Sequence, residues 1–486
     1  MLFNSYIFIF LFLPITLFGY FLFNHFKLNV LSKIWLILAS LFFYGFFNVS
    51  YLWIIISSVF FNFAISKLFN TTFLNNQYIL KKILFVLGLT VNISLLFFYK
   101  YLDFIFKCTN ELFGTDIVYL NLVLPLGISF FTFQQVSYLI DSFRGKVPAC
   151  SIVDYALFIT FFPQLIAGPI VLHSEIIPQF KKQGNMKFNM DNFACGLYAF
   201  SAGLAKKVLI ADFFGKITTF GYGHISNLST LEAILTIMAY TFQIYFDFSG
   251  YCDMASGIAK MFNVDLPLNF NSPYKARNIS DFWKRWHITL TRFLTNYVYF
   301  PLGGSRCSIL RTCINVLIVF LVSGMWHGAG FTFILWGLMH GIAMVIYRLF
   351  KKTFNRLPYF LIWIFTFIFI NITWVYFRAN SIDDANQILL SVFNGGFSIN
   401  AELAETLYNV IPISIITNSI PIEGALCPLM VILFGLFTAV CLFTRNVQER
   451  IKTFKPTVRS LISTYFMFVF SILSLSGVST FLYFNF

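Results

Sequence analysis

Apolar residues fill long runs of this chain, and short polar or charged segments separate the runs. A helix needs about 20 predominantly apolar residues to cross a bilayer core, so runs of this kind predict transmembrane helices. The predicted spans lie near residues 5–23, 34–47, 52–68, 83–99, 155–172, 193–205, 231–246, 313–349, 359–377, 426–443 and 461–481. We therefore predict an all-α polytopic membrane protein with about 10–12 transmembrane helices and additional re-entrant or interfacial helices.

Three segments between these runs do not have the pattern of simple spans. Residues 101–119 are predicted to form a polar loop, and residues 383–421 an exposed, partly helical loop. Residues 121–141 mix Pro125 and Gly127 into an apolar background. We expect this last segment inside the bundle or re-entering from one side, because lipid-exposed backbone must satisfy its own hydrogen bonds.

Residues 279–306 have the pattern of an amphipathic helix. Its aromatic and leucine side chains recur at helical spacing, at Phe282, Trp283, Trp286, Leu290, Phe293 and Tyr297. Ser280 or Asp281 is the candidate N-cap, and Asp281 and Arg285 are spaced for an i,i+4 ion pair. We expect one helix in the membrane interface, ended by Pro301 and the following glycines.

The longest apolar run, residues 313–349, carries an unusual polar and glycine-rich centre. The centre contains Ser323, Gly324, Trp326, His327, Gly328 and Gly330. As one straight helix the run would be roughly 50–55 Å long, well beyond a bilayer core of about 30 Å. We expect it to break near His327 into two helical pieces that meet inside the membrane. An ionisable side chain at that depth marks a candidate functional site, and glycines allow bends and close approach of a ligand.

Composition supports the membrane assignment. Hydrophobic residues make up 58% of the chain and charged residues 11%, against about 25% charged residues in a soluble domain. The formal charge of +14 is interpreted as lysine and arginine in cytoplasmic loops, not as a nucleic-acid surface. Lysines follow the first and third predicted spans, which places the N-terminus outside the cytoplasm. The basic loop between the last two spans is also expected in the cytoplasm, which places the C-terminus outside. The eight cysteines lack metal-ligand spacing, so no metal site is predicted.

Two blocks in the middle of the chain carry a resemblance to a known family. They are NFNSPYKARNISDFWKRWHITLTRFLTNYVYFPLGG and SGMWHGAGFTFILWGLMHG. Together with FPQLIAGPI and DFSGYCDMASGIAKMF, they resemble the membrane-bound O-acyltransferase (MBOAT) family. Within it, the chain is similar to the bacterial branch that contains the alginate O-acetylase membrane subunit and the peptidoglycan O-acetyltransferase.

The resemblance implies a bundle of helices around a transmembrane tunnel, with an acyl donor entering from the cytoplasm and an acceptor hydroxyl from the other side. His327 matches the catalytic histidine of the family. His287 matches a second polar residue, which is often asparagine outside this branch. The resemblance also implies that a separate extracytoplasmic acetyltransferase often completes the reaction on polysaccharides.

Transfer of an acetyl group from a thioester to an alcohol needs a base for the hydroxyl proton and hydrogen-bond donors for the developing oxyanion. His327 is the candidate base. His287, or backbone N–H groups near the glycines of the central run, are candidates to polarise the carbonyl. Transient acylation of a histidine or serine is an alternative mechanism. A histidine that only packs in the core is the structural alternative, and His340 is expected to be structural, near the membrane edge.

Ten further residues are candidates for lining the tunnel or supporting the histidines. They are Trp326, Ser323, Asp247, Asp253, Trp283, Trp286, Asn271, Tyr274, Lys284 and Arg285. The two aspartates flank a Ser-Gly turn and either orient a histidine or arginine or form ion pairs. Their candidate ion-pair partners are Lys260, Lys275 and Arg277. Lys284 and Arg285 either attract a phosphate-bearing donor or form a charged face among lipid headgroups, and the tryptophans line the tunnel or anchor at the interface.

The predicted organisation is a single integral-membrane domain over residues 1–486, with residues 247–349 as the catalytic core segment and residues 379–425 as an exposed loop. The predicted function is O-acetylation of an extracytoplasmic polysaccharide from the bacterial inner membrane, directly or through a partner acetyltransferase or polymer-synthesis protein. Acetyl-CoA is the expected donor, and no bound cofactor is expected. Membrane lipids are further expected partners, and nucleic acid is not. The alternatives are D-alanyl, lipid or protein acyl transfer in the same fold, and a secondary transporter, whose broken helices also carry midplane polar groups.

Overall fold

The computed structural model describes residues 1–69, 71, 77–354, 356–408, 422–475 and 480–482, without the side chains of residues 406, 408 and 422–427. These residues form helices and connecting turns, with no β-strand among them. The helices are α1 Leu13–His25, α2 Asn29–Gly45, α3 Tyr51–Leu68, α4 Tyr78–Phe113, α5 Ile128–Phe143, α6 Ile152–Thr160, α7 Phe162–Leu165, α8 His173–Lys181, α9 Met190–Ala205, α10 Asp212–Gly223, α11 Thr230–Met261, α12 Ile279–Trp283, α13 Ile288–Leu294, α14 Ile309–His327, α15 Phe331–Leu349, α16 Lys351–Phe354, α17 Tyr359–Arg378, α18 Ile382–Ser391, α19 Ala401–Tyr408, α20 Ile422–Phe443, α21 Val447–Lys452 and α22 Val458–Leu473. Three π-helical segments extend them, at Phe8–Phe12, Lys206–Ala211 and Thr295–Tyr299.

Eight helical segments of the described residues are long and apolar enough to cross a membrane. They are Phe8–His25, Tyr51–Leu68, Tyr78–Phe113, Met190–Gly223, Ile309–His327, Phe331–Leu349, Tyr359–Arg378 and Pro428–Lys452. Two shorter apolar helices, α2 and α22, add to these. The all-α membrane architecture is therefore confirmed. The number of 10–12 spans stays a prediction, as does the extracytoplasmic position of the termini.

The chain divides into two compact units, which are described separately. The first contains Met1–Gly203, Tyr251–Leu268 and Thr453–Asn485, and the second contains Leu204–Gly250 and Asn269–Lys452. Helix α11 therefore contributes residues 230–250 to the second unit and residues 251–261 to the first. The prediction of one domain over residues 1–486 stays a prediction.

Buried amides hold helices α3, α4 and α5 together in the first unit. Asn92 on α4 donates to the Oδ1 of Asn62 on α3 at 2.7 Å, and Asn62 donates back at 3.1 Å. Ser58 on α3 donates to the Oε1 of Gln135 on α5 at 2.9 Å, and Asn62 also donates to that oxygen. Lipid surrounds such helices with chains as apolar as their own side chains, so hydrogen bonds between helices contribute to their association.

Glycines set the close packing of α14 against α15 in the second unit. A Cβ atom added to Gly324 would collide with the carbonyl oxygen of Phe333, and one added to Gly337 would collide with that of Phe320. Gly341 lies against Leu317 and Phe320, one turn further along the pair. The two helices therefore run antiparallel with their backbones in contact, which small residues allow in membrane proteins.

Several predicted boundaries are wrong. Residues 101–113, predicted as part of a polar loop, continue helix α4 to Phe113, where Gly114 ends the helix in a left-handed conformation (φ 63°). The Ser-Gly pair at 249–250 is not a turn, because α11 continues through it. Intermittent polar residues can be tolerated within a helix that packs in a bundle, so polarity alone did not locate these ends. The segment 383–421, by contrast, is partly helical as predicted, because it contains most of α18 and all of α19, and residues 409–421 lie outside the described residues.

Candidate functional site

The central apolar run breaks at His327, as the sequence predicts. Helix α14 ends at His327, and α15 begins at Phe331. Gly328 and Gly330 between them are extended, with φ of −163° and −170°. A Cβ atom on Gly328 would enter the ring of Phe333, so this connection needs glycine for space. The break leaves the His327 side chain buried, with 4% of its surface exposed.

A second break positions His287. The predicted single amphipathic helix is instead two short helices, α12 and α13, with His287 in a left-handed conformation between them (φ 44°, ψ 53°). Non-glycine residues avoid this region unless their surroundings compensate the strain, and such residues cluster at functional sites. The N-cap of α12 is Asn278, not Ser280 or Asp281, and its side chain accepts from the backbone N–H of Asp281.

The segment 269–271 supplies the hydrogen bonds that stabilise this break. The backbone N–H of Asn271 donates to the carbonyl of Arg285 at 2.9 Å, and that of Ile288 donates to the carbonyl of Asn269 at 2.9 Å. Arg285 also pairs with Asp281 at 2.9 Å, which confirms the predicted i,i+4 contact. In a continuous helix, these backbone N–H and C=O groups would form hydrogen bonds within the helix. At the break they form hydrogen bonds with residues 269–271 instead.

Asn269 sets the tautomer of His287. The Asn269 Oδ1 atom lies 3.2 Å from the backbone nitrogen of Thr289 and 2.8 Å from the Thr289 hydroxyl. A backbone N–H only donates, so the atom facing it is the carboxamide oxygen. His287 Nδ1 lies 3.1 Å from the same oxygen and must therefore carry the proton, which leaves a lone pair on Nε2. Burial lowers the pKa of His287 to about 3, so the imidazole is neutral near pH 7.

The two predicted catalytic histidines come together within the second unit. Their ring centroids are 6.5 Å apart, and Trp326 lies 5.9 Å from His287 and 4.9 Å from His327. Two aromatic side chains that the sequence reasoning did not identify complete the surroundings of His327, with Trp336 and Phe377 both at 5.1 Å. The rings meet edge to face, so the histidine pair lies in a largely apolar aromatic cage.

Two buried polar groups accompany this cage. Ser323, predicted as a support residue, lies one turn before His327 and is 1% exposed. Its hydroxyl and the indole N–H of Trp336 have no hydrogen-bond partner among the described residues. An unmade hydrogen bond in a buried position destabilises a protein by about 1–3 kcal/mol, and such groups in native structures call for a water, a ligand or a catalytic role.

A second aromatic layer contains the predicted Trp283 and Trp286. Trp283 donates through Nε1 to Nδ1 of His340 at 3.3 Å, and the His340 ring lies 4.8 Å from Trp336. Trp286 packs against Trp374 at 4.9 Å. His340 is fully buried in this layer, which fits the packing role expected from the sequence. Local hydropathy could not have shown this contact, because it joins α12 to α15.

Asp247 has an ion-pair partner that the sequence did not predict. Asp247 pairs with buried Lys207 at 2.7 Å, and the same ammonium group lies 2.8 Å from Asp212. None of the partners considered from sequence makes this contact: Lys260 pairs with Asp265 in the first unit, Lys275 donates to the carbonyl of Thr444, and Arg277 donates to that of Leu357. Asp253 is buried and belongs to the first unit, and its predicted role stays a prediction.

The other predicted residues lie around the break in the second unit. The hydroxyl of Tyr274 donates to the carbonyl of Thr241 at 2.6 Å, and Asn271 accepts from the side chain of Asn446 at 3.0 Å. The predicted roles of both residues in the tunnel stay predictions. Lys284 is exposed beside Arg285, so their roles toward a phosphate-bearing donor stay predictions. Among the described residues, no cluster of three histidine, cysteine or acidic side chains could hold a metal ion.

The model of the membrane-bound O-acyltransferase family matches residues 17–382. This chain belongs to that family. The family, the polytopic all-α fold and the acyltransferase class predicted from the sequence are thereby confirmed. The protein is a multi-pass membrane enzyme, and its histidine pair lies within the matched region.

This MBOAT protein is similar to enzymes that modify cell-surface polymers. A peptidoglycan O-acetyltransferase from Helicobacter pylori is 44% identical over 100% of this chain and 98% of its own. A probable alginate O-acetylase from Pseudomonas aeruginosa is 37% identical over 82% of this chain and 75% of its own. A teichoic acid D-alanyltransferase from Bacillus subtilis is 28% identical over 48% of this chain and 61% of its own.

Proposed function

We propose that this MBOAT protein takes an acetyl group from a cytoplasmic thioester, acetyl-CoA, and delivers it for O-acetylation of an extracytoplasmic polysaccharide. Peptidoglycan is the acceptor that we favour, reached directly or through a partner acetyltransferase. The support is the similarity over the whole chain to a peptidoglycan O-acetyltransferase. The similarity to a D-alanyltransferase covers less than half of the chain, so D-alanyl transfer is the less favoured reaction.

The chemical part of the proposal rests on two buried histidines, each at a helix break, whose ring centroids lie 6.5 Å apart. In our assignment, His327 takes the proton of the acceptor hydroxyl. His287 presents an unprotonated Nε2 because Asn269 holds its Nδ1 proton. It can therefore accept a hydrogen bond from the hydroxyl and orient it, but the neutral ring cannot donate from Nε2 to a carbonyl. This replaces the carbonyl-polarising role that the sequence suggested for His287.

The donor to the carbonyl then has to come from another group. The indole N–H of Trp336 fits this role, because it is a buried donor without a partner among the described residues and its ring packs against His327. A fixed donor of this kind, kept away from water, stabilises a developing oxyanion without reorganisation. Ser323 supplies a second buried hydroxyl on the same helix as His327.

The proposed reaction has two steps. The acceptor oxygen attacks the thioester carbonyl while its proton passes to His327, forming a tetrahedral oxyanion. The carbonyl then re-forms, the C–S bond breaks, and the thiolate takes the proton from His327 to leave as a free thiol. The products are an acetyl ester and coenzyme A, and no oxidant or reductant is needed. If a partner enzyme acetylates the polymer, the acceptor oxygen in this scheme belongs to that partner.

The test compares His327→Ala with His25→Ala in cells that lack the native gene. His25 is an exposed residue at the end of α1, so it is a matched histidine outside the proposed site. We expect His327→Ala to abolish base-labile acetate on purified peptidoglycan and His25→Ala to leave it unchanged, at equal membrane levels of both variants. Normal acetate in His327→Ala cells would refute the catalytic assignment.

A second measurement distinguishes an acyltransferase from a transporter. Purified protein is given acetyl-CoA labelled in the acetyl group, together with soluble peptidoglycan fragments. Label on the fragments, or bound covalently to the protein, supports transfer, and covalent label on wild-type protein would indicate an acyl-enzyme route. Solute flux into vesicles without any transfer of label would contradict the proposal.

A further inference from the structure

The lining of a cavity in the first unit contains none of the residues of the histidine site. It has a volume of about 440 Å³ and lies between the segment after α5 and helix α8. Three lysines line it: Lys146 from the first segment, and Lys181 and Lys182 from the end of α8 and the residue after it. A cavity of this size accommodates a small ligand or the headgroup of a larger one.

Carboxylates lie close to this cavity, but they do not line it. None of its lining residues carries a carboxylate. Asp154 engages Lys33 at 2.7 Å with one oxygen and Lys181 at 3.5 Å with the other. Asp141 lies 3.9 Å from the ring of His173, which also lines the cavity. Lys146 and Lys182 are exposed and form no ion pair among the described residues. Two ammonium groups are therefore available to an anionic ligand.

Less polar residues also line the cavity. Ile177 and the buried Cys150 line it, and the Cys150 sulfur is held 3.1 Å from the hydroxyl of Tyr138. Ser174, in the first turn of α8, adds a hydroxyl group to the lining, and the buried His173 adds an imidazole ring. The combination of lysines, a hydroxyl and carbon atoms suits a phosphate group that carries an organic substituent more than it suits a small hydrated ion.

The position of the cavity along the chain agrees with this ligand. Lys33 lies near the start of α2, at the end that follows the first span, and the positive-inside rule assigns this end to the cytoplasm. Asp154 contacts both Lys33 and Lys181, so it ties the start of α2 to the end of α8. Anionic lipids of the cytoplasmic leaflet and soluble nucleotides are the abundant phosphate esters on that side. Basic pockets next to transmembrane helices on this side bind such headgroups.

We propose that the cavity lined by Lys146, Lys181 and Lys182 binds a phosphate-ester anion. The phosphate belongs either to the headgroup of an anionic phospholipid or to a soluble nucleotide such as coenzyme A. The nucleotide source rests on the proposed donor, whereas the lipid source is independent of the acyl-transfer chemistry. Neither source requires His327, so binding should survive the loss of that side chain.

The experiment measures binding to the purified full-length protein in nanodiscs of phosphatidylcholine. The two probes are dioctanoyl phosphatidylglycerol and adenosine 3′,5′-bisphosphate, each titrated at low and high salt. Lys146→Gln/Lys182→Gln removes the two available charges and keeps the Lys181–Asp154 pair. Lys351→Gln/Lys352→Gln is the matched control, because it removes two exposed lysines from the second unit.

We expect at least one probe to bind the wild type, the control and His327→Gln with equal affinity. The same probe should bind Lys146→Gln/Lys182→Gln about tenfold more weakly, because two charge-assisted contacts are lost. The probe that responds identifies the source of the phosphate. Equal affinity of both double variants for both probes, or no saturable binding of either probe to the wild type, would overturn the proposal. If His327→Gln loses acetyl transfer but keeps binding, the two proposals are separated.

Discussion

The hydrogen bonds of Asn269 give the sharpest test of how the second helix break supports catalysis. Its Oδ1 atom accepts from His287 Nδ1, from the backbone nitrogen of Thr289 and from the Thr289 hydroxyl. In Asn269→Leu all three contacts are lost in a site where His287 and Thr289 are almost fully buried. The hydroxyl can rotate toward another acceptor, but the ring N–H and the backbone N–H cannot.

The expected magnitude follows from these two remaining donors. A buried donor left without an acceptor destabilises a protein by about 1–3 kcal/mol, so the two donors in Asn269→Leu should lower the free energy of unfolding by about 2–6 kcal/mol. The proton of His287 is no longer held on Nδ1, so the ring loses its fixed tautomer and orientation. Residues that orient a functional histidine typically change activity by about 10- to 100-fold, and we expect a loss of that order here.

Asn269→Asp is the informative companion variant. Its carboxylate accepts the same three hydrogen bonds, so the break should be retained. The carboxylate favours the protonated imidazole, so the pKa of His287 should rise above its low value in the wild type. A protonated Nε2 cannot accept from the acceptor hydroxyl. Activity should therefore fall as the pH decreases through the raised pKa, at a pH where the wild type is still active.

The assay combines thermal unfolding of the purified protein with acetyl transfer from labelled acetyl-CoA over a range of pH. A role limited to packing would lower stability in Asn269→Leu but would leave the acidic limb of the pH profile in Asn269→Asp where it is in the wild type. That result, or full activity of Asn269→Leu at pH 7, would refute the orienting role. A shifted acidic limb with retained folding would support it.

Two further predictions concern α14 and α15. Gly337→Ala should lower the unfolding temperature and the activity, because its Cβ collides with the Phe320 carbonyl and overpacking destabilises by about 1–3 kcal/mol. The control variant Gly435→Ala, in open space on α20, should change neither property. Equal behaviour of the two variants would contradict the close contact between α14 and α15. Trp336→Phe keeps an aromatic ring beside His327 but removes the indole N–H, so acetyl transfer should fall about 100-fold or more at unchanged stability. Wild-type turnover by Trp336→Phe would exclude the indole as the oxyanion donor.

The features that the sequence predicts correctly depend on local chemistry. The break at His327 follows from an apolar run too long for one span and from glycines at its centre, both of which are visible in a single stretch. The Asp281–Arg285 pair follows from helical spacing alone. The family resemblance joined His327 to His287 before any distance was known, since both histidines lie in recognisable motifs.

The features that the sequence does not reveal depend on contacts between distant segments. The apolar spacing around His287 indicates a continuous helix, and the break exists because residues 269–271 take over its backbone hydrogen bonds. Asp247 pairs with Lys207, 40 residues earlier in the chain, rather than with the cations that follow it. The contact of Trp336 with His327 likewise arises from the close antiparallel packing of two helices.

Hydropathy and glycine placement therefore determined the membrane class and the break at His327, and the resemblance of the sequence motifs indicated the family and the two histidines. Tertiary structure alone decided which nitrogen of His287 holds the proton, which cation neutralises Asp247 and which indole faces His327. The physical reason is that span length and helix breaking are properties of neighbouring residues. Hydrogen-bond partners in a buried site, by contrast, are chosen by whichever segments the packed helices bring within about 3 Å of one another.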